Sequence, residues 1–158
     1  MPEKIRDVYP PRGLSRIFFR VPIYFFCLGL GGIFGKRMLL LNHTGRKSGL
    51  PRQAVLEVVH HDTKTGTFVV NAGFGPTSDW YQNLLAKPDV SIVVGRQLIA
   101  VRAEQLSPEE AGPLMLEFVC QHPREARFVR YLGYEVDGSD EDWVALGAEL
   151  ILIGLRPR

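Results

Sequence analysis

Residues 38–52 read Met-Leu-Leu-Leu-Asn-His-Thr-Gly-Arg-Lys-Ser-Gly-Leu-Pro-Arg, a short apolar run that leads directly into a basic turn. The apolar run predicts a strand, and the glycines predict a turn with exposed backbone N–H groups. Arginine offers phosphate a planar pair of donors, and lysine offers a point charge. The stretch therefore predicts a phosphate-binding turn, although a solvated basic hairpin turn explains the same residues. The residues of this turn are Arg46, Lys47, Ser48, Gly49 and Arg52.

Positive charge is concentrated in the first third of the chain. The 158 residues include 19 Lys and Arg against 17 Asp and Glu, but residues 1–52 hold ten basic residues and two acidic ones. This asymmetry predicts an anionic partner for the first third, either a phosphorylated cofactor or anionic lipid. We expect no nucleic-acid partner, because the basic residues are not interleaved with aromatic residues in a nucleic-acid-binding pattern.

An apolar segment precedes the basic turn at residues 13–35. Arg12, Arg16 and Arg20 recur every four residues, so they share one face of a predicted helix. The uncharged run 21–35 has 15 residues, fewer than the roughly 20 that a membrane span needs. Two interpretations stay open: a helix that packs on the domain or on a second copy in a homodimer, and a peripheral anchor at a lipid surface.

Both interpretations predict a cytoplasmic protein, the second one on the inner face of the membrane. We divide the chain into an N-terminal segment, residues 1–35, and a cofactor-binding domain, residues 36–158. Cys27 and Cys120 lack the spacing of a zinc site or of a disulfide framework. We therefore expect no metal, and two buried free thiols in a reducing compartment.

Six apolar segments predict strands that are connected mostly by hairpin turns. They lie at residues 38–42, 52–61, 67–72, 90–94, 97–105 and 149–155. Helix-start signals and apolar periodicity predict helices at residues 78–86, 107–121 and 139–147. This alternation is typical of an α+β domain that is built on an antiparallel barrel.

Three stretches together resemble the deazaflavin-dependent nitroreductase and quinone reductase family. They are residues 39–52, residues 67–72, and Trp80-Tyr81-Gln82-Asn83-Leu84 followed by Pro88. The resemblance covers about residues 36–120. It implies a split β-barrel, here of about six antiparallel strands with flanking helices, which the apolar helix predicted at residues 13–35 precedes. It also implies an oxidoreductase that transfers a hydride from reduced coenzyme F-420, an 8-hydroxy-5-deazaflavin with a phosphate and an oligoglutamate tail, to a quinone, nitro compound or similar small-molecule acceptor.

The resemblance also implies where the cofactor binds. The basic turn would hold the phosphate, Lys36 and Arg37 would attract the tail, and the loop 72–75 would lie beside the ring. Trp80 and Asn83 would face the cofactor from their helix, although a core anchor and a helix-to-loop hydrogen bond explain these two residues equally well. The predicted cofactor-binding residues are Arg46, Lys47, Ser48, Gly49, Arg52, Ala72, Gly73, Phe74, Gly75, Trp80 and Asn83.

A quinone or nitro acceptor gains negative charge on oxygen as hydride arrives, so a nearby hydrogen-bond donor would stabilise it. Tyr81, Tyr131 and Tyr134 are the candidate catalytic donors, with a proton from solvent. Many relatives carry a Ser-Lys-Gly-Gly type loop where this chain has residues 73–75, so a hydroxyl and an ammonium near the ring are missing here. For this reason FMN stays open as the cofactor. A protein without enzymatic activity that binds lipid or fatty acid stays open as the function.

Overall fold

Six antiparallel strands close into a barrel in the computed structural model, which describes residues 1–9 and 14–158. With the two short strands β1 and β7, which pair with each other outside the barrel, the strands are β1 Glu3–Lys4, β2 Met38–Thr44, β3 Pro51–Asp62, β4 Thr67–Asn71, β5 Asp89–Val94, β6 Gln97–Gln105, β7 Tyr134–Glu135 and β8 Leu152–Pro157. The barrel has the order β2-β3-β4-β8-β6-β5. The predicted antiparallel barrel is therefore confirmed.

Five helices connect and cover these strands in the described residues. They are α1 Leu14–Cys27, α2 Asp79–Ala86, α3 Pro108–Gln121, α4 Phe128–Tyr131 and α5 Asp140–Glu149. The prediction that the last strand begins at residue 149 is wrong, since α5 continues through Glu149 and β8 begins at Leu152. The Ser139 hydroxyl caps the first turn of α5, and the fully buried Leu146 fixes its last turn on the core.

Apolar side chains form two buried layers on the two sides of the barrel wall. Leu39, Leu41 and Ile92 point into the barrel, where they are fully shielded from solvent. The second layer lies between the outer face of β4 and β8 and the helices α3 and α5, and Trp143 and Leu146 belong to it. Because β4 and β8 are covered on both faces, they lie in the best-protected part of the sheet.

The first nine residues pack on the C-terminal part of the chain. β1 pairs with β7 so that Lys4 lies opposite Tyr134, and the Ile5 N–H donates to the Gly133 carbonyl at 2.7 Å. The α-amino group of Met1 lies 2.8 Å from the buried carboxylate of Asp142. We call residues 1–9 the N-terminal arm; the domain boundary at residue 35 stays a prediction.

Helix α1 contacts the barrel through its C-terminal end. The buried ring of Phe26 stacks on Phe34 with 5.5 Å between the ring centroids. Tyr24, Leu28 and Ile33, in contrast, are exposed to 66%, 74% and 71%, so the described part of the domain leaves these three apolar side chains, which we call the apolar patch, uncovered. No helix in the described part of the chain combines the length and apolarity that crossing a bilayer requires.

The predicted arginine face, the cysteines and the expected absence of a metal site can be compared with the described residues. Of the predicted arginine face, Arg12 and the side chain of Arg16 lie outside what the structure describes, while Arg20 is exposed. Cys27 and Cys120 are both free thiols, but both are exposed, so the expectation of buried cysteines is wrong. Among the described residues, no three or more His, Cys, Asp or Glu side chains lie together in a way that could hold a metal ion.

Helices α3 and α5 approach each other through glycine. A Cβ atom added to Gly147 would lie 2.6 Å from Met115 Cβ and 2.9 Å from Gly112 Cα. A Cβ atom added to Gly112 would lie 2.8 Å from the Val144 carbonyl oxygen. Both positions therefore need glycine for close packing, although glycine weakens a helix.

We predict that Gly147→Ala destabilises the fold. Alanine gains about 1 kcal/mol of helix propensity, but overpacking against atoms that cannot move aside costs about 1–3 kcal/mol. Because the contacts with the Ala111 carbonyl oxygen and Gly112 Cα are with backbone, we expect an overpacking cost at the upper end, about 2–3 kcal/mol. The net loss in the free energy of unfolding is then about 1–2 kcal/mol, measured by urea denaturation. Gly32→Ala is the control, since an added Cβ there would meet no described atom within 4 Å. A more stable Gly147→Ala protein would contradict the proposed close packing.

Candidate functional site

The basic turn between β2 and β3 is closed by its own backbone. The Gly45 N–H donates to the Leu50 carbonyl at 2.9 Å, and the Gly49 N–H donates to the Gly45 carbonyl at 2.8 Å. Gly49 has a φ of +68°, which glycine adopts at little cost. The Ser48 hydroxyl accepts from the Leu50 N–H at 3.2 Å. The turn is therefore a defined loop, and the Ser48 hydroxyl already takes part in closing it.

The side chain of Asn83 on α2 binds the turn through hydrogen bonds to Arg46. Its Oδ1 accepts the Arg46 backbone N–H at 3.0 Å and the Arg46 Nη1 at 2.9 Å. Its Nδ2 lies 3.0 Å from Nδ1 of His43, at the end of β2. Asn83 is only 3% exposed. This amide therefore makes the helix-to-loop hydrogen bond that was one of its two predicted roles, and it connects β2, the turn and α2.

The three cations of the turn have different surroundings. The Arg46 guanidinium also contacts the carboxylate of Asp79, with 3.2 Å between Nη1 and Oδ1. The side chains of Lys47 and Arg52 are exposed, and neither makes a hydrogen bond or ion pair with another described residue. Two cationic groups are therefore available to an anionic ligand, while Arg46 is held by the protein itself.

His43 is the buried neighbour of this turn. Its pKa is lowered from the ordinary 6.5 to about 4, mainly by burial and secondarily by the positive charge of Arg52. Because Asn83 Oδ1 accepts from Arg46, the Asn83 amide must donate its N–H to His43 Nδ1. The imidazole is therefore neutral, with its proton on Nε2. The sequence carries no signal for this junction.

A cleft of about 400 Å³ lies beside the loop 72–75. The loop is anchored by the Ala72 N–H, which donates to the Ile151 carbonyl at 2.9 Å. A Cβ atom on Gly73 would lie 2.8 Å from Leu132 Cδ2, so glycine lets the loop approach the C-terminal segment. Besides this loop, residues of the N-terminal arm and of the segment 149–151 line the cleft.

The three candidate tyrosines occupy different places. Tyr134 lines the cleft, and the half-exposed Tyr131 meets the ring of Phe74 edge-on at 6.2 Å between centroids. Tyr81 is 8% exposed, and its hydroxyl donates to Gln105 Oε1 at 2.9 Å. The structure thus brings Tyr131 and Tyr134 to the loop 72–75 and places Tyr81 in the barrel core.

Trp80 and the cations before β2 are also predicted to contact the cofactor. Trp80 is partly buried against the barrel core, in accord with its alternative role as a core anchor. Lys36 and Arg37 precede β2, whereas the turn follows it; seven residues of strand separate the two ends, which is roughly 20 Å. Arg37 is 3.2 Å from Glu125. The structure therefore does not bring Lys36 and Arg37 to the basic turn.

Two buried polar atoms next to the loop have no partner in the described residues. They are Asn71 Oδ1, just before the loop, and Ser78 Oγ, at the start of α2. Ser78 is 2% exposed and does not cap its helix. A buried polar atom without a hydrogen bond costs about 1–3 kcal/mol. Sequence reasoning missed both atoms, because their isolation depends on the folded loop.

Known proteins are similar to this chain in sequence. A protein-family model described as F420H(2)-dependent quinone reductase matches residues 28–130. The curated F420H(2)-dependent quinone reductase Rv1261c of Mycobacterium tuberculosis (strain ATCC 25618 / H37Rv) is 32% identical over 110 residues, which cover 65% of this chain and 73% of that protein.

Solved structures support the fold at lower sequence identity. The structure of an F420-H2 dependent reductase (FDR-A) has a TM-score of 0.53 and 22% identity, and the match covers 77% of this chain and 95% of that one. A structure described as a domain-swapped dimer has a TM-score of 0.54 and 19% identity, with 90% of this chain and 99% of that chain covered.

We predict that His43 makes the protein acid-sensitive. The unfolded chain takes up a proton at His43 below about pH 6.5, whereas the folded protein does so only below about pH 4. Acid therefore favours unfolding, and stability that is fully present above pH 6.5 is lost as the pH falls to about 4. We expect a loss of about 1.4 kcal/mol per pH unit, to a total of about 3 kcal/mol.

Urea denaturation of the wild type and of His43→Gln between pH 7 and pH 4 measures this effect. The glutamine cannot titrate in this range, so its free energy of unfolding should fall less steeply with acid. The partly buried His122 lies far from the turn, and His122→Gln serves as the control. Parallel pH profiles for wild type and His43→Gln would show that His43 is not buried in its neutral form.

Proposed function

The chain belongs to the F420H(2)-dependent quinone reductase family, and from this premise we propose that it is an oxidoreductase that transfers a hydride from reduced coenzyme F-420 to a quinone. The observation that carries the proposal is the basic turn with two available cations, Lys47 and Arg52. A phosphate needs N–H donors and positive charge on an accessible surface. The turn offers both, at a fixed position next to the loop that leads into α2.

The residues around the turn fit the cofactor's phosphate. We assign the direct phosphate contacts to Lys47 and Arg52, together with the backbone of Ser48 and Gly49. Arg46 and Asn83 hold the turn in place, because their donors and acceptors already bond to each other. The unpartnered Asn71 Oδ1 and Ser78 Oγ support a polar ligand beside the loop 72–75, where we place the ring.

The bound coenzyme supplies the hydride, and the protein orients the reactants and excludes water. The loop 72–75 gives the ring a close backbone surface, since a Cβ atom on Gly75 would meet no described atom within 4 Å and the space beside it is open. Phe74 and Tyr131 form an aromatic pair at the edge of the cleft and limit the entry of water. The Tyr134 hydroxyl is the donor that we place nearest the acceptor oxygen, and solvent delivers the proton.

We predict that Lys47→Ala and Arg52→Ala each weaken the binding of oxidised F-420 by about 1.5–3 kcal/mol, the scale of hydrogen bonds to charged groups. Quenching of the coenzyme's fluorescence measures the dissociation constant. Lys64→Ala is the matched control, because Lys64 lies in the exposed hairpin between β3 and β4. Titration of FMN and FAD in parallel compares the alternative cofactors.

Equal affinity for F-420 in the wild type and in both alanine variants would contradict the phosphate assignment. Tighter binding of FMN than of F-420 would contradict the choice of cofactor. A tightly bound acyl chain in native mass spectra, with no affinity for either cofactor, would support the lipid-binding alternative.

We also propose that the apolar patch of Tyr24, Leu28 and Ile33 makes a peripheral contact with an anionic lipid surface. The patch is largely exposed, and exposed Arg20 and Lys36 flank it in sequence. An apolar face bordered by cations is the arrangement that binds at a lipid interface, and each lysine or arginine near an anionic surface adds about 1 kcal/mol. This contact would place the enzyme on the cytoplasmic face of a membrane.

We predict that replacing Leu28 and Ile33 by glutamate lowers binding to phosphatidylglycerol vesicles at least tenfold, because it adds charge to the buried side of the contact. Vesicle co-sedimentation measures the binding. Leu85→Glu on α2 is the control, since Leu85 is 61% exposed but lies outside the patch. Unchanged vesicle binding would contradict the proposal, and dissociation of a dimer in analytical ultracentrifugation would assign the patch to a second copy of the chain.

A further inference from the structure

The cleft beside the loop 72–75 receives a cation from an unexpected part of the chain. Lys4 of the N-terminal arm lines it, together with Tyr9 of the same arm and Tyr134 of β7. Among the described residues that line the cleft, Lys4 is the one positively charged side chain, and the carboxylates of Asp7 and Glu149 also line it. The loop itself carries no charged group at residues 73–75. The arm therefore brings an ammonium to a surface whose own loop lacks one.

The position of Lys4 is fixed by the backbone of the arm. Lys4 lies opposite Tyr134 in the β1–β7 pair, and the Ile5 N–H donates to the Gly133 carbonyl at 2.7 Å. Gly133 has a φ of +88°, and a Cβ atom there would lie 2.2 Å from the Arg6 carbonyl oxygen. The arm thus lies in close contact with the backbone of the segment that carries Tyr131 and Tyr134.

The Lys4 ammonium is held in position by one ion pair and keeps free N–H donors. Its Nζ lies 2.6 Å from Asp7 Oδ1, while the side chain remains 54% exposed. An ammonium has three N–H donors, and Asp7 accepts one of them. Two donors remain for a ligand in the cleft. Asp7 is itself 65% exposed, so water screens its charge more than it would in the interior.

We propose that the cleft between the N-terminal arm and the loop 72–75 binds the acceptor, and that Lys4 is a catalytic residue that stabilises negative charge on the acceptor's oxygen. This inference rests on the proposed function. A quinone that takes up a hydride becomes a hydroquinone monoanion, and a proton from solvent completes the hydroquinone; the reduced deazaflavin is oxidised by the same two electrons. A cation next to the oxygen stabilises the transition state because charge develops there.

The volume and the lining of the cleft suit a flat aromatic acceptor. A volume of about 400 Å³ lies in the range of small-molecule sites. Phe74 and Tyr134 supply aromatic surface, and Leu150 and Ile151 supply aliphatic surface. A quinone needs such an apolar lining for its ring and a few polar groups at its oxygens, which Lys4 and Tyr134 provide.

The first test uses 4-nitrophenol as a probe of the charge in the cleft. Its oxygen stands for the acceptor oxygen, and its absorbance reports whether it is phenol or phenolate. We expect the pKa of 4-nitrophenol to fall when it binds to the wild-type protein, to fall less with Lys4→Met, and to fall again as in the wild type with Lys4→Arg. Asp7→Asn should lower the probe's pKa further, because it removes the opposing charge.

Failure of 4-nitrophenol to bind to the wild type, or equal pKa values with Lys4→Met and wild type, would overturn the role of Lys4. Lys64→Met is the control for a change in overall charge, and we expect wild-type behaviour from it. This measurement needs no coenzyme, so it tests the cleft even if the protein fails to bind F-420.

The second test measures turnover with reduced F-420 and a water-soluble 1,4-benzoquinone. We expect Lys4→Met to lower kcat/KM at least tenfold and Lys4→Arg to restore most of it, with fluorescence titrations of F-420 unchanged in both. Equal kcat/KM in the wild type and Lys4→Met would overturn the inference and leave the proposed function intact. Absence of F-420 binding to the wild type would instead contradict the proposed function.

Discussion

The buried amide of Asn83 is the interaction on which the geometry of the basic turn depends. One oxygen accepts two donors of Arg46, and the amide N–H bonds to neutral His43. Hydrogen bonds of this kind are individually worth about 1 kcal/mol, but a buried donor or acceptor left alone costs about 1–3 kcal/mol. The loss of any one partner therefore affects the others, so β2, the turn and α2 keep one relative position.

Much of the fold could be predicted because its signals are local. The barrel strands carry apolar patterns over five to twelve residues, and the hairpin at Gly66 needs a positive φ that glycine supplies. The pairing of β1 with β7 could not be predicted, because two strands of two residues each have no recognisable pattern. Their contact brings together residues about 130 positions apart, and only the complete fold determines it.

The candidate site, like the fold, has a part that the sequence predicts and a part that depends on tertiary contacts. The cluster of cations in the basic turn is visible in nine consecutive residues, but the sequence does not reveal that Asp79 and Asn83 already engage Arg46. Nor does it reveal that Lys36 and Arg37 lie at the far end of β2. How far they are from the turn depends on the length of the strand between them, which only the structure gives. Composition can predict which side chains are able to bind an anion. Whether a given cation is free to bind one depends on its tertiary contacts.

The two ends of the site differ in where their residues come from. The basic turn, the loop 72–75 and Asn83 all lie within residues 28–130, the stretch that the family model matches. Lys4, Tyr134 and residues 149–151, which complete the cleft, lie outside it. A coenzyme common to a family requires a constant binding surface, whereas different acceptors require different walls. In the assignment proposed above, the walls around the acceptor come from the N-terminal arm and the C-terminal segment, so substitutions there would leave the buried junction at the basic turn in place.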